Sequence, residues 1–218
     1  MTDRADARGV FITLEGGEGA GKSTQARLMQ SWLAGERCEV VLTREPGGSP
    51  HAECLREMLL GGRVAPFGND AEALVFAIAR ADHVAETIRP ALERGAWVIC
   101  DRFIDSTRAY QGSAGVPADR IDELEAIAVG QTMPDLTLIL DLPAEEGLAR
   151  ANGRDVMPDR FEADDLAVHQ ERRDVFLQIA QDEPDRCAVV DASRPEAEVF
   201  ERIRSTVRAR LGDRMPAR

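Results

Sequence analysis

Val10-Phe11-Ile12-Thr13-Leu14-Glu15-Gly16-Gly17-Glu18-Gly19-Ala20-Gly21-Lys22-Ser23-Thr24 decides the fold. It opens as a buried-strand run and breaks into glycine. Gly16 through Ser23 then fit G-x-x-x-x-G-K-[ST], the phosphate-binding loop. Residues from Gly21 to about Ala34 read as a helix, so the loop sits at a helix N-terminus. Unpaired N–H groups and the helix dipole favour anions there. Gly16, Gly17, Glu18, Gly19, Ala20, Gly21, Lys22, Ser23 and Thr24 are therefore expected to cradle a nucleoside triphosphate. Ser23 offers a hydroxyl to Mg²⁺. Lys22 is the only lysine; every other one of the 27 basic side chains is arginine. A compact ammonium can lie along such a loop and touch two phosphates, where a planar guanidinium is too wide.

Outward from the loop, the pattern repeats strand and helix. Val40–Thr43, Trp97–Cys100, Leu136–Leu140 and Cys187–Val190 are short apolar runs. Helical spacing marks Asp70 to Arg94 and about 118–130, 143–151, 164–181 and 195–210. Short apolar strands alternating with helices predict an α/β, three-layer P-loop fold: a five-stranded parallel sheet with helices on both faces. Ligands in such sheets bind at the carboxyl ends of the strands. A length of 218 residues suits one domain. Residues 1–8 read as a flexible tail, and Asn152, Gly153 and Pro158 among mixed charges read as a mobile loop.

Composition excludes several functions. The net charge of −12 argues against a nucleic-acid polymer as partner. No apolar run is long enough for a membrane span, and the start of the chain has no apolar signal core. The four cysteines have no metal-ligand spacing and read as free thiols of a cytoplasmic protein.

Asp101-Arg102 follows the third strand directly. Asp101 can reach a Mg²⁺ beside Ser23, and Arg102 can hold a second phosphate over the same crevice. A strand-end ion pair is the alternative. Further motifs then narrow the reading: Thr43-Arg44-Glu45-Pro46-Gly47-Gly48, Ser106-Thr107-x-Ala109-Tyr110-Gln111-Gly112 and Pro134-Asp135-Leu136-Thr137. With the phosphate loop and Asp101-Arg102, and in this order, they resemble the bacterial thymidylate kinases over about residues 10–200.

The resemblance implies transfer of the ATP γ-phosphoryl group to dTMP with Mg²⁺, by a homodimer with a lid at about 150–163. Phe76 and Arg80, spaced i, i+4, share a helix face. In the family such a pair stacks on thymine and donates to its carbonyl; alone, it also fits a core phenylalanine beside a surface arginine. Thr107 and Gln111 fall where the family adds polar contacts near the base. Tyr110 falls where a ribose 2′-OH would project. Glu18 is placed to accept the sugar 3′-OH, and Arg44 and Arg102 to bind the acceptor phosphate, assisted by Arg56. Family members carry a charge-stabilising arginine in the phosphate loop or in the lid. Glu18 occupies the loop position, so Arg154 and Arg160 are the candidates, with Arg150 third. Asp191–Pro195, with Arg194, resembles the loop beside adenine, or is a plain strand-to-helix turn.

Such an acceptor needs no general base, because a phosphate monoester with second pKa near about 6 is largely a dianion at pH 7. A rival, a deoxynucleoside kinase acting on a 5′-hydroxyl, needs one, and Glu45 is placed to serve. A guanine-reading Asn-Lys-x-Asp is impossible, since no lysine lies outside the loop.

Overall fold

The computed structural model of the chain describes residues 8–153, 160, 161 and 163–216. In order they form β1 (Val10–Glu15), α1 (Lys22–Gly35), β2 (Val40–Arg44), α2 (Pro50–Leu60), α3 (Asn69–His83), α4 (Arg89–Glu93), β3 (Trp97–Asp101), α5 (Ile104–Ser113) and α6 (Ala118–Val129). Then come β4 (Leu136–Asp141), α7 (Ala144–Asn152), α8 (Leu166–Asp182), β5 (Cys187–Asp191) and α9 (Glu196–Leu211). The five strands make one parallel sheet in the order β2-β3-β1-β4-β5. This is the expected α/β architecture.

Alternation along β1 divides the core. Val10, Ile12 and Leu14 pack with Met29 and Leu33 of α1 and Ile203 and Val207 of α9. Phe11 points the other way, with Ile88, Leu92, Val98 and Phe103. Thr13 and Glu15 share the side of Phe11, because side chains two apart line one face. Thr13 Oγ1 meets Thr137 Oγ1 at 2.8 Å, so two buried hydroxyls satisfy one another. Each strand runs one residue beyond its apolar stretch and ends on a charge: Glu15, Arg44, Asp101, Asp141 and Asp191. The carboxyl edge of the sheet is thereby polar where the ligand side should be.

The structure amends the sequence reading in four places. Helix α2 was not expected, although Ser49-Pro50 is a good start, with proline in the first turn where no N–H is needed. Helix α5 was not expected either, and its N-terminus is capped from far away: Glu15 Oε1 accepts from the N–H groups of Phe103 (2.7 Å) and Ser106 (3.2 Å). The expected helix from Asp70 to Arg94 is α3 and α4 joined by a wider turn over Val84–Ile88. Pro90 lacks the N–H that a regular turn would use, and the wider turn precedes it. The expected lid at 150–163 starts late, since residues 150–152 complete α7. Arg154, with the rest of residues 154–159 and residue 162, lies outside the described residues, as does the expected tail up to residue 7. Arg8 is already held, donating to Met133 O at 3.3 Å.

Candidate active site

The loop after β1 is backbone turned inward. Gly19 has φ 69° and Gly21 φ 86°. A Cβ on Gly19 would also collide with the carbonyl of Gly147 in α7, so only glycine fits there. Gly21 hands the chain to α1, whose first residue is Lys22. Its Nζ is buried and donates to Gly16 O (3.0 Å) and Gly17 O (2.7 Å). Burial, and then the charge of Arg102, bring its pKa down to about 8. At the next residue, the Ser23 hydroxyl donates to the Asp101 carboxylate. The two groups expected near Mg²⁺ are thus brought together from α1 and β3. Among the described residues no cluster of three His, Cys, Asp or Glu side chains could hold a metal alone. A cation here would draw its other ligands from phosphate oxygens and water, which suits Mg²⁺.

Beside the loop lies a cavity with about 540 Å³ of empty space, open to solvent. Its walls include Glu18, Phe76, Arg80, Arg102, Thr107, Tyr110 and Gln111. The structure therefore gathers seven of the eight expected acceptor-site residues. Arg102 links the two halves. It sits at φ 71°, in the left-handed region that costs a non-glycine residue about 1–3 kcal/mol. Its guanidinium donates to Glu18 (2.6 Å), to Ser106 Oγ (3.2 Å) and to Gly16 O of the phosphate loop (3.3 Å), and lies 4.9 Å from the Tyr110 ring centre. Tyr110 also donates to Glu18 at 2.6 Å. Burial would raise the Glu18 carboxyl, but Arg102, then Lys22 and the Tyr110 hydroxyl, hold it at about 2. Glu18 is thus an ionised acceptor that orients Arg102 and Tyr110 together.

At the far end, Phe76 packs against Phe161, ring centres 6.2 Å apart, and Tyr110 meets Phe161 edge-on at 5.7 Å. Arg80 is buried between Glu45 (Nε to Oε2, 2.7 Å) and Phe103 O (3.0 Å). Gln111 donates to Glu72 at 3.4 Å. Glu45 also pairs with His83 at 3.0 Å. Burial would raise Glu45, yet Arg80 and His83 hold it below the ordinary carboxylate range. A carboxylate so occupied is a poor proton acceptor, which removes the base that the deoxynucleoside kinase reading requires.

Arg44, Arg150 and Arg160 stand elsewhere than expected, and Arg194 lies in the loop after the last strand, where the sequence puts it. Arg44 does not line the cavity; it points outward to Glu53 (3.0 Å), while Arg56 lines the wall and donates to Pro46 O at 2.6 Å. Arg160 pairs with Glu72 at 2.7 Å and lies 4.7 Å from the Phe161 ring centre. Arg150 donates to Ala192 O at 3.0 Å. Arg194 is exposed beside Asp191 at 3.0 Å, in the loop after β5.

Sequence reasoning missed Glu15 and Phe161. Glu15 is fully buried; its Oε2 accepts from Ser106 Oγ at 2.6 Å. Burial, reinforced by Asp105, pushes it up to about 7. Its signal was a charge closing an apolar strand. For Phe161 the signal was one aromatic in an otherwise charged segment.

Known proteins are similar to the chain in sequence and fold. A family profile described as thymidylate kinase matches residues 14–203. A thymidylate kinase of Afipia carboxidovorans is 53% identical over 214 residues, covering 97% of this chain and 94% of that protein. One of Rhodopseudomonas palustris is 55% identical over 208 residues, covering 94% and 90%. The crystal structure of thymidylate kinase from Ehrlichia chaffeensis superposes with TM-score 0.74 at 33% identity, covering 92% of this chain and 99% of that one. With the phosphate loop, the cavity and these relatives in agreement, the chain belongs to the thymidylate kinase family.

Proposed function

We propose that the protein transfers the γ-phosphoryl group of ATP to dTMP, forming dTDP, by direct in-line displacement. The observation that carries this is Arg102, which bonds the phosphate-loop carbonyl of Gly16 and at the same time lines the cavity that ends on Phe76 and Arg80. A phosphate held by Arg102 is adjacent to the donor loop, and the base attached to it reaches the aromatic end. ATP occupies residues 16–24, with adenine toward Arg194. Lys22, now resting on loop carbonyls, turns its ammonium onto phosphate oxygens when they arrive. Ser23 and Asp101 would hold Mg²⁺, which would supply charge neutralisation on the donor phosphates.

The acceptor dianion needs no base, so the side chains align and cancel charge. Glu18 fixes Arg102 and Tyr110, and Tyr110 with Glu18 faces the sugar where a 2′-OH would intrude. Thr107 and Gln111 complete the polar wall. Arg160 is committed to Glu72, which leaves Arg154 as the lid arginine for the transferring group. We place the enzyme in the cytoplasm: its four cysteines are free, and among the described residues no helix is long and apolar enough to cross a membrane. It works as one domain and as a homodimer; exposed Met58, Leu74, Ile78 and Ile127 on α2, α3 and α6 support the dimer, and sedimentation velocity reads it.

An ADP-release assay across dTMP, dUMP, dCMP, UMP and thymidine tests the reading. The highest kcat/KM is expected with dTMP. Turnover of thymidine without dTMP would overturn it.

A further inference from the structure

An arginine can discriminate bases only if its donors are held still. Arg80 is held from two sides, by Glu45 on Nε and Phe103 O on Nη2, and it lies 5.3 Å from the Phe103 ring centre. The restraint is only as firm as Glu45, a side chain with its own free rotation. Its second oxygen accepts from His83 Nδ1 at 3.0 Å. His83 Nε2 in turn lies 2.7 Å from Thr43 Oγ1. The carboxylate only accepts, so the ring proton sits on Nδ1; in the neutral ring, Nε2 then accepts from the Thr43 hydroxyl.

His83 is fully buried and does not line the cavity. The loop after β2 wraps it closely. Gly48 has φ 86°, and a Cβ there would collide with His83 Nε2 and Thr43 Oγ1. Thr87 fastens the same turn by donating to Gly48 O at 2.7 Å. The ring therefore has one available position, set by both strand end and loop.

We propose that His83 is a positioning residue for base selection, holding Glu45 and through it Arg80. This rests on the reading that Arg80 addresses the base. A guanidinium is donor-only. Fixed in place, it accepts a pyrimidine with a carbonyl at position 4 and sets donor against donor when an amino group stands there. Released, it can turn aside and the penalty on the amino base shrinks.

The experiment compares full-length His83→Phe, His83→Asn and Arg80→Leu with the parent, measuring kcat and KM for dTMP and dCMP and the melting temperature. His83→Phe removes both ring bonds. It should raise the dTMP KM by about 10- to 100-fold, as loss of a bond to a charged group does, with a smaller change in kcat. It should also narrow the ratio of kcat/KM for dTMP over dCMP. Asparagine can put an amide donor near the Nδ1 position, so His83→Asn should restore most of the ratio at comparable thermal stability. A ratio unchanged in His83→Phe, or one that follows melting temperature alike in both variants, overturns the proposal. An unchanged ratio in Arg80→Leu overturns the base-reading role of Arg80 itself. Should His83→Phe fail to fold, Glu45→Gln carries the test, because an amide facing Arg80 Nε can loosen the same clamp. A parent-like ratio there overturns the proposal equally.

Discussion

The phosphate loop and the cavity beside it, proposed as donor and acceptor sites, are built by opposite means. The loop is nine consecutive residues, 16–24, built mainly of backbone and glycine, with a single cationic side chain, Lys22. The cavity takes Glu18 from the loop, Arg56 from α2, Phe76 and Arg80 from α3, Arg102 after β3, Thr107, Tyr110 and Gln111 from α5, and Phe161 from the segment before α8. Its charged groups are held by protein partners: Arg102 by Glu18, Arg80 by Glu45 and Arg56 by the Pro46 carbonyl. A backbone cradle tolerates a general ligand. A cavity of mutually restrained side chains suits a particular one, because a wrong ligand leaves buried polar groups unpaired.

The largest expected effect breaks the loop at its one cation. Lys22→Ala should lower kcat by about 10²–10³, the loss of a preorganised charge worth roughly 3–4 kcal/mol. ATP affinity should fall less, because the backbone N–H groups remain; equilibrium ATP binding beside single-turnover rates separates the two. With pKa near 8, the sole lysine should also be labelled by an amine-selective reagent around neutral pH, and ATP should protect it. Labelling of Lys22 indifferent to ATP would remove its phosphate role.

The same contrast explains what could be read from the chain. The loop was legible because its parts are contiguous and each needs a particular residue type: glycine for positive φ, lysine for reach. The sheet was legible because its strands are apolar runs. Helix α5 was not, since Ser106, Thr107 and Gly112 are poor helix formers and the cap comes from Glu15, 88 residues before Phe103. The family resemblance brought out Phe76, Arg80 and Tyr110. It also nominated Arg44 and Arg160, because sequence reports a charge near a site without saying which carboxylate takes it.

Glu15 lets that long-range cap be tested by pH. Its ordinary pKa of 4.5 rises to about 7 in the fold. The folded state then holds a proton that the unfolded chain releases, so this contribution is fully present below about 4.5 and is lost as pH rises through about 7. Glu15→Gln should abolish the dependence. Relative to the parent, it should gain about 1–3 kcal/mol between pH 4.5 and pH 8, an order-of-magnitude value from about 1.4 kcal/mol per pKa unit. Urea midpoints at the two pH values give the difference. A gap between parent and variant that does not move with pH would sink the claim that Glu15 titrates there.

The smallest effect sharpens the boundary of the cavity. Arg44 ends β2 and Arg56 lies on α2; the first is expected to bind the acceptor phosphate and the second to assist. Arg44 is half exposed and faces Glu53, a surface pair worth at most about 1 kcal/mol. Arg44→Ala should therefore change the dTMP KM by less than about fivefold. Arg56 lines the wall and is tied to the Pro46 carbonyl, the residue next to Glu45. Its removal takes a charge from the cavity and a tether from the loop, so Arg56→Ala should raise the dTMP KM by about tenfold or more, the weight of a charge-assisted bond. If Arg44→Ala proved the more damaging, the acceptor phosphate would have to sit farther out along β2. The cavity would then be only the base half of a longer site, and the side-chain construction argued for it would have to extend to the exposed edge of the sheet.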